Sequence, residues 1–122
     1  MSCRLSRLRR GTRNFGVPYK LKHYIDVLVQ PGLAITFTPG VGFRGMITGK
    51  PAVAIYSRGG AYGAGSGFEN YDTQSPYLRR ILGFIGFTDI REVFVESTAG
   101  AGERERAVTA ANPVAAEVAG AF

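Results

Sequence analysis

The chain has 122 residues, 45% hydrophobic and 20% charged, the profile of one small globular domain and not of a disordered or fibrous chain. Its longest uncharged apolar stretch, Ile81 to Phe87, is far short of the roughly 18 to 20 residues that a membrane span needs. The net charge of +6 is uneven: Arg4, Arg7, Arg9, Arg10 and Arg13 face no acid, whereas residues 14–122 hold ten basic and nine acidic side chains, a balance that argues against nucleic-acid binding.

Met1–Arg13 shows no apolar period and reads as a basic, disordered arm ahead of a domain spanning 14–122. A transit-like presequence, a phosphate-binding arm and sequence unrelated to the domain are all compatible with it. From Val17 to Val29 the apolar residues Leu21, Tyr24, Ile25, Leu28 and Val29 make one helical stripe, started near Pro18 and stopped by Pro31-Gly32. Leu33–Phe37 reads as a short extended piece, followed by a glycine-rich connection over 38–50. Ala52–Tyr56 is a nearly continuous apolar run, predicted to be a strand covered on both faces as in a parallel sheet. A Gly-, Ser- and Asn-rich loop runs to Ser75. Pro76 is predicted to open a largely buried helix to about Phe84, with Tyr77, Ile81 and Phe84 on one side. Ile90–Glu96 reads as a second strand, and Pro113 is expected to interrupt any helix in the Ala-rich tail. Strand, helix, strand with buried strands is the α/β pattern of a parallel crossover.

In open α/β sheets ligands bind beyond the carboxyl ends of the strands, which here means Ser57-Arg58-Gly59-Gly60. Two glycines let a flat ligand approach the backbone, and their N–H groups could stabilise negative charge on a reduced cofactor ring. Arg58 could add a positive charge or be a solvated loop residue, and the motif alone fits a plain turn equally well. Gly63–Gly67 lacks the ending and the flanking elements of a phosphate loop and reads as a flexible lid. His23 is the only histidine and is expected to face solvent; the one cysteine, Cys3, rules out an internal disulfide and a cysteine-cluster metal site and is compatible with a reducing compartment. No catalytic side-chain set and no metal-ligand cluster stands out, so chemistry here would be carried by a cofactor.

Asn14-Phe15-Gly16-Val17-Pro18-Tyr19-Lys20-Leu21-Lys22, Gly45–Lys50, Ser57–Gly60, Pro76-Tyr77-Leu78 and Leu82–Asp89 follow one another in a fixed order. The set resembles the flavodoxin-like FMN-dependent NADH:quinone oxidoreductases, or azoreductases, over roughly residues 14–98. The resemblance implies a partial flavodoxin-like doubly wound parallel sheet. It also implies a cytoplasmic homodimer that passes a hydride from NADH or NADPH through FMN to a quinone or azo compound in ping-pong fashion. Asn14 and Phe15 would lie against the flavin, and Ser57, Arg58, Gly59 and Gly60 would line its pyrimidine side. Phe84 would help form an apolar substrate slot across the dimer interface, or be a core residue.

The family has a Met-Tyr pair before Asn-Phe, at the end of an apolar strand, where this chain has Thr12-Arg13. Its first strand and its Ser-rich phosphate loop find no counterpart in residues 1–13. The expectation is therefore a C-terminal half that retains the last two strands, with one strand flank unpaired. Each large apolar side chain left exposed forfeits about 1.5–3 kcal/mol, against a domain stability of about 5–15 kcal/mol. The chain alone is expected to fold poorly and to bind FMN weakly or not at all, with impaired activity. The alternative is a non-catalytic remnant acting as a dimerisation or interaction module.

Overall fold

The computed structural model describes residues 14–121; the basic arm Met1–Arg13 and Phe122 lie outside the described residues. The first helix, α1 (Tyr19–Leu28), begins directly after Pro18, whose backbone is extended. Its predicted stripe is only partly covered, with Tyr24 and Leu28 exposed. The segment expected to be a plain glycine-rich connection is instead an antiparallel hairpin of β1 (Ile35–Thr38) and β2 (Gly42–Gly45), in register from Ile35↔Gly45 to Thr38↔Gly42. Pro39 and Gly40 occupy the centre of the turn, Gly40 at φ +81°. The Val41 N–H donates to the Thr38 carbonyl. This is the Pro-Gly chemistry of a type II turn, which needs positive φ at its third residue.

Strand β3 (Ala52–Ser57) pairs in parallel with β4 (Ile90–Val95), from Ala52↔Ile90 to Ser57↔Val95, across a connection that contains α2 (Gln74–Ile85). The expected α/β crossover is therefore present. Helix α2 starts two residues before Pro76, because the Asp72 carboxylate accepts the N–H groups of Gln74 and Ser75 and caps the first turn. Pro76 then sits where its missing N–H would have no helical partner anyway. The expectation of a largely buried helix does not hold. Only Gln74 and Ser75 are buried, and the apolar side is half-covered.

Two further expectations are corrected. Helix α3 (Ala101–Gly120) runs unbroken through Pro113. A proline inside a helix costs about 3 kcal/mol, and an alanine-rich segment lying along β4, with Ala111 buried against the sheet side, offsets it. Strand β3 is not covered on both faces: Ile55 is 65% exposed and Val53 38%. Val53, Ile55 and Ser57 point to one side and Ala52, Ala54 and Tyr56 to the other, so the strand alternates instead of being buried throughout. Among the described residues β3 hydrogen-bonds only to β4, and its other edge is open.

The hairpin is locked to the far end of α2 by a backbone crossing. The Ile47 N–H donates to the Ile85 carbonyl at 3.0 Å. A Cβ on Gly45 would meet the Ile85 carbonyl carbon at 2.3 Å, and one on Gly86 would meet the Ile47 oxygen at 2.0 Å. These are the glycines of two of the sequence motifs, and the close approach explains them. No described helix is long and apolar enough to cross a membrane.

Candidate functional site

The carboxyl end of β3 delivers Ser57, Arg58, Gly59 and Gly60 to one edge of the molecule. Thr98 holds the carbonyl of Arg58 with both its N–H (3.0 Å) and its hydroxyl (2.8 Å), and the Ser97 N–H donates to the Gly60 carbonyl at 3.3 Å. With its carbonyls fastened to the segment after β4, the loop leaves the Gly59 and Gly60 N–H groups without an acceptor among the described residues. Gly59 is exposed and Gly60 half-buried.

Arg58 lies behind them. Its side chain is 1% exposed, and its guanidinium is fully engaged. Nε donates to Gln74 at 3.2 Å, one terminal nitrogen to Glu96 at 3.0 Å and the other to Asp72 at 2.9 Å. The cation also lies over Phe94 (4.6 Å to the ring centre), Tyr56 (5.2 Å) and Tyr62 (5.8 Å). Asp72 is tied further to Ser75 through that residue's hydroxyl and N–H. Burial alone would raise the Asp72 carboxyl, but these bonds and the Arg58 charge outweigh it and hold the group below the ordinary carboxylate range. One arginine faces two carboxylates, so the cluster carries no surplus positive charge. Neither reading of Arg58 as a solvated residue or as a charge aimed at a ligand describes the side chain seen here.

Phe15 reaches the same loop from the other end of the chain. Its carbonyl accepts from the Thr73 hydroxyl at 2.7 Å and from the Thr73 N–H. Its ring meets Tyr62 edge-on at 6.0 Å and Tyr71 at 5.1 Å, and remains 44% exposed. Asn14 and Phe15 both have positive φ, 47° and 67°, an uncommon backbone for a phenylalanine and a mark of a constrained site. Tyr62 continues the surface to Gly60, where an added Cβ would lie 3.1 Å from the tyrosine hydroxyl. The fold thus links Phe15 to Gly60 through the Tyr62 ring. Phe84 is elsewhere, about 15 Å of helix rise along α2 from Gln74, in a cluster with Phe43 (5.9 Å) and, through it, Phe37 (4.9 Å). It is partly exposed.

The family described by a flavodoxin-like fold matches residues 12–118. The chain belongs to that flavodoxin-like family. It is 49% identical over 89 residues to an FMN-dependent NADH:quinone oxidoreductase of Nitratidesulfovibrio vulgaris, a match covering 73% of this chain and 42% of the relative. It is 43% identical over 99 residues to one of Desulfotalea psychrophila, covering 80% and 46%. The azoreductase of Bacillus anthracis superposes with a TM-score of 0.77 at 31% identity, over 90% of this chain and 52% of that one. The chain spans about half the length of these relatives or less.

Within this flavodoxin-like chain the Gly63–Gly67 loop is not a free phosphate cradle. The Gly65 N–H donates to the Glu69 carboxylate at 2.7 Å. The amides of Glu69 itself, Gly65, Gly67 and Ser66 together hold that carboxyl below its usual range. The loop closes on its own acid. Sequence reasoning missed Asp72, Glu96, Tyr62 and Thr98; Asp72, just ahead of a helix, was the one with a local signal, that of a cap. No group of three metal-ligating side chains gathers among the described residues, and His23 is exposed on α1.

Proposed function

We propose that this chain is the flavin-facing part of an FMN-dependent NADH:quinone oxidoreductase of the azoreductase type, working by a ping-pong sequence. FMN, when bound, would supply the two-electron relay between NADH, or NADPH, and a quinone or azo acceptor. The observation that carries this reading is the pair of unpartnered N–H groups of Gly59 and Gly60 at the carboxyl end of β3, beside the exposed ring of Phe15. Such donors suit the electron-rich pyrimidine edge of a flavin. Asn14 and Phe15 would lie against its ring, with Ser57 beside the donors and Arg58 lining the site through its backbone. No side chain of the chain needs to act as acid or base.

Residues 14–122 would form this one unit, with 1–13 as an arm. The Phe84, Phe43 and Phe37 cluster would face a second copy in a homodimer and border the acceptor slot. We place the activity in the cytoplasm, with the nicotinamide donor. The described donors serve one edge of the cofactor, and the Gly65, Ser66 and Gly67 amides are turned to Glu69, so FMN should be held weakly by this chain alone and activity should be impaired. A second reading, a non-catalytic interaction module, draws support from the open β3 edge and exposed Ile55.

Purification with added FMN separates the two. A dimer that quenches FMN fluorescence on binding and oxidises NADH in the presence of a quinone supports the enzyme. A chain that associates yet leaves FMN fluorescence unchanged at millimolar concentration supports the module.

A further inference from the structure

We infer that Arg58 is a positioning residue, which sets the Gly59–Gly60 donor pair from beneath and does not itself touch the ligand; this rests on the FMN reading above. Its partners come from two separate stretches: Asp72 and Gln74 at the start of α2, and Glu96 after β4. Glu96 also accepts the Tyr62 N–H at 3.3 Å, and the Tyr62 ring lies against both the guanidinium and Gly60. The loop 59–61 is thereby bracketed, by Arg58 on one side and by Tyr62 on the other, with one carboxylate tied to both. Thr98 and Ser97 fasten the carbonyls that bound the donor pair. The direction of the Gly59 and Gly60 N–H groups follows from those attachments.

A planar guanidinium is what the arrangement requires. Three acceptors in different directions are met by a fixed fork of donors, with aromatic rings stacked near its faces. Lysine offers a compact charge that cannot reach all three. Without the guanidinium, Asp72 and Glu96 would face each other as uncompensated, part-buried charges and push the loop out of place.

The test uses the full chain and three variants. Arg58→Lys removes the fork, Thr98→Val removes one hydroxyl bond to the Arg58 carbonyl, and Val93→Ala loosens the core without touching the loop. Amide hydrogen exchange is measured without cofactor. The affinities for oxidised and for reduced FMN are then compared as a ratio. In Arg58→Lys the amides of Tyr62, Ser97 and Thr98 should exchange at least about tenfold faster while those of the β1–β2 hairpin stay unchanged. The ratio of reduced to oxidised Kd should rise about tenfold in Arg58→Lys and severalfold in Thr98→Val, since a hydrogen bond to a charged group is lost or misaimed. Val93→Ala should leave that ratio alone, which separates positioning from stability. Uniformly faster exchange in Arg58→Lys, matching Val93→Ala, would overturn the inference, as would an unchanged Kd ratio. If the parent chain binds no FMN, the functional reading fails, and the exchange pattern still decides whether Arg58 sets the loop.

Discussion

Replacing Gly86 by alanine should be among the most damaging single-methyl changes this chain can suffer. At φ +119° the residue is outside the backbone range of ordinary L-residues, and the new Cβ would land 2.0 Å from the Ile47 carbonyl oxygen and 2.9 Å from its carbon. Both are backbone atoms of the crossing that ties the β1–β2 hairpin to the end of α2, so no flexible side chain can move aside. A left-handed conformation costs an L-residue about 1–2 kcal/mol, and overpacking a tight site typically about 1–3 kcal/mol. Together that is about 2–5 kcal/mol. Gly83 provides the internal control: it lies in the last turn of α2, three residues before the Gly86 cap, and a Cβ there would meet nothing within 4 Å. Gly83→Ala should gain the helix propensity of alanine over glycine, about 0.8–1 kcal/mol. The two variants should therefore differ by about 3–6 kcal/mol, despite identical chemistry three residues apart. Urea unfolding followed by far-UV circular dichroism measures this directly. With a slope of about 1–3 kcal/mol per molar urea, the Gly86→Ala midpoint should fall by a molar or more, and that of Gly83→Ala should rise. Coincident midpoints, or Gly83→Ala as the weaker of the two, would refute the close-crossing argument.

Other expectations concern the clasp, the loop and the hairpin. Because the Asp72 carboxyl is held below its unfolded value of about 3.9, the stability it lends is complete above about pH 4 and is lost as pH falls through the folded value. Asp72→Asn should flatten the acid limb of a stability–pH curve and leave the region above pH 5 with its original slope; an unaltered acid limb would count against the clasp. Glu69→Ala should free the amides of the Gly63–Gly67 loop and hasten proteolytic cleavage there, with the remaining digestion pattern unchanged. Equal cleavage rates would mean that the carboxylate does not hold the loop. Phe43→Lys, at a residue 56% exposed, should change monomer stability little and shift any dimer toward monomer in sedimentation, if the aromatic hairpin is a subunit face. A dimer that survives this change would place the interface elsewhere.

Much of this protein was legible in its residues. The apolar run at Ala52–Tyr56, the stripe of α1 and the alternation around Val93 and Val95 are local patterns, and local patterns specify elements. So was the place of Ser57–Gly60, because a strand that ends in two glycines leaves its donors at the carboxyl edge of the sheet. The hairpin was harder, since four glycines within 38–50 hid the short Thr-Phe-Thr run that precedes Pro39-Gly40. Helix α3 passed through Pro113 because packing along β4 outweighs a single broken bond. The tertiary structure alone decided the state of Arg58: its three acceptors lie 14 to 38 residues away in the chain, and no period links them. It likewise decided that Ile55 faces outward, because burial depends on which elements lie over a strand and not on the strand's own sequence. What the residues by themselves determined is where the candidate donors are; what folding determined is that Arg58 stands behind them, buried and balanced by two carboxylates.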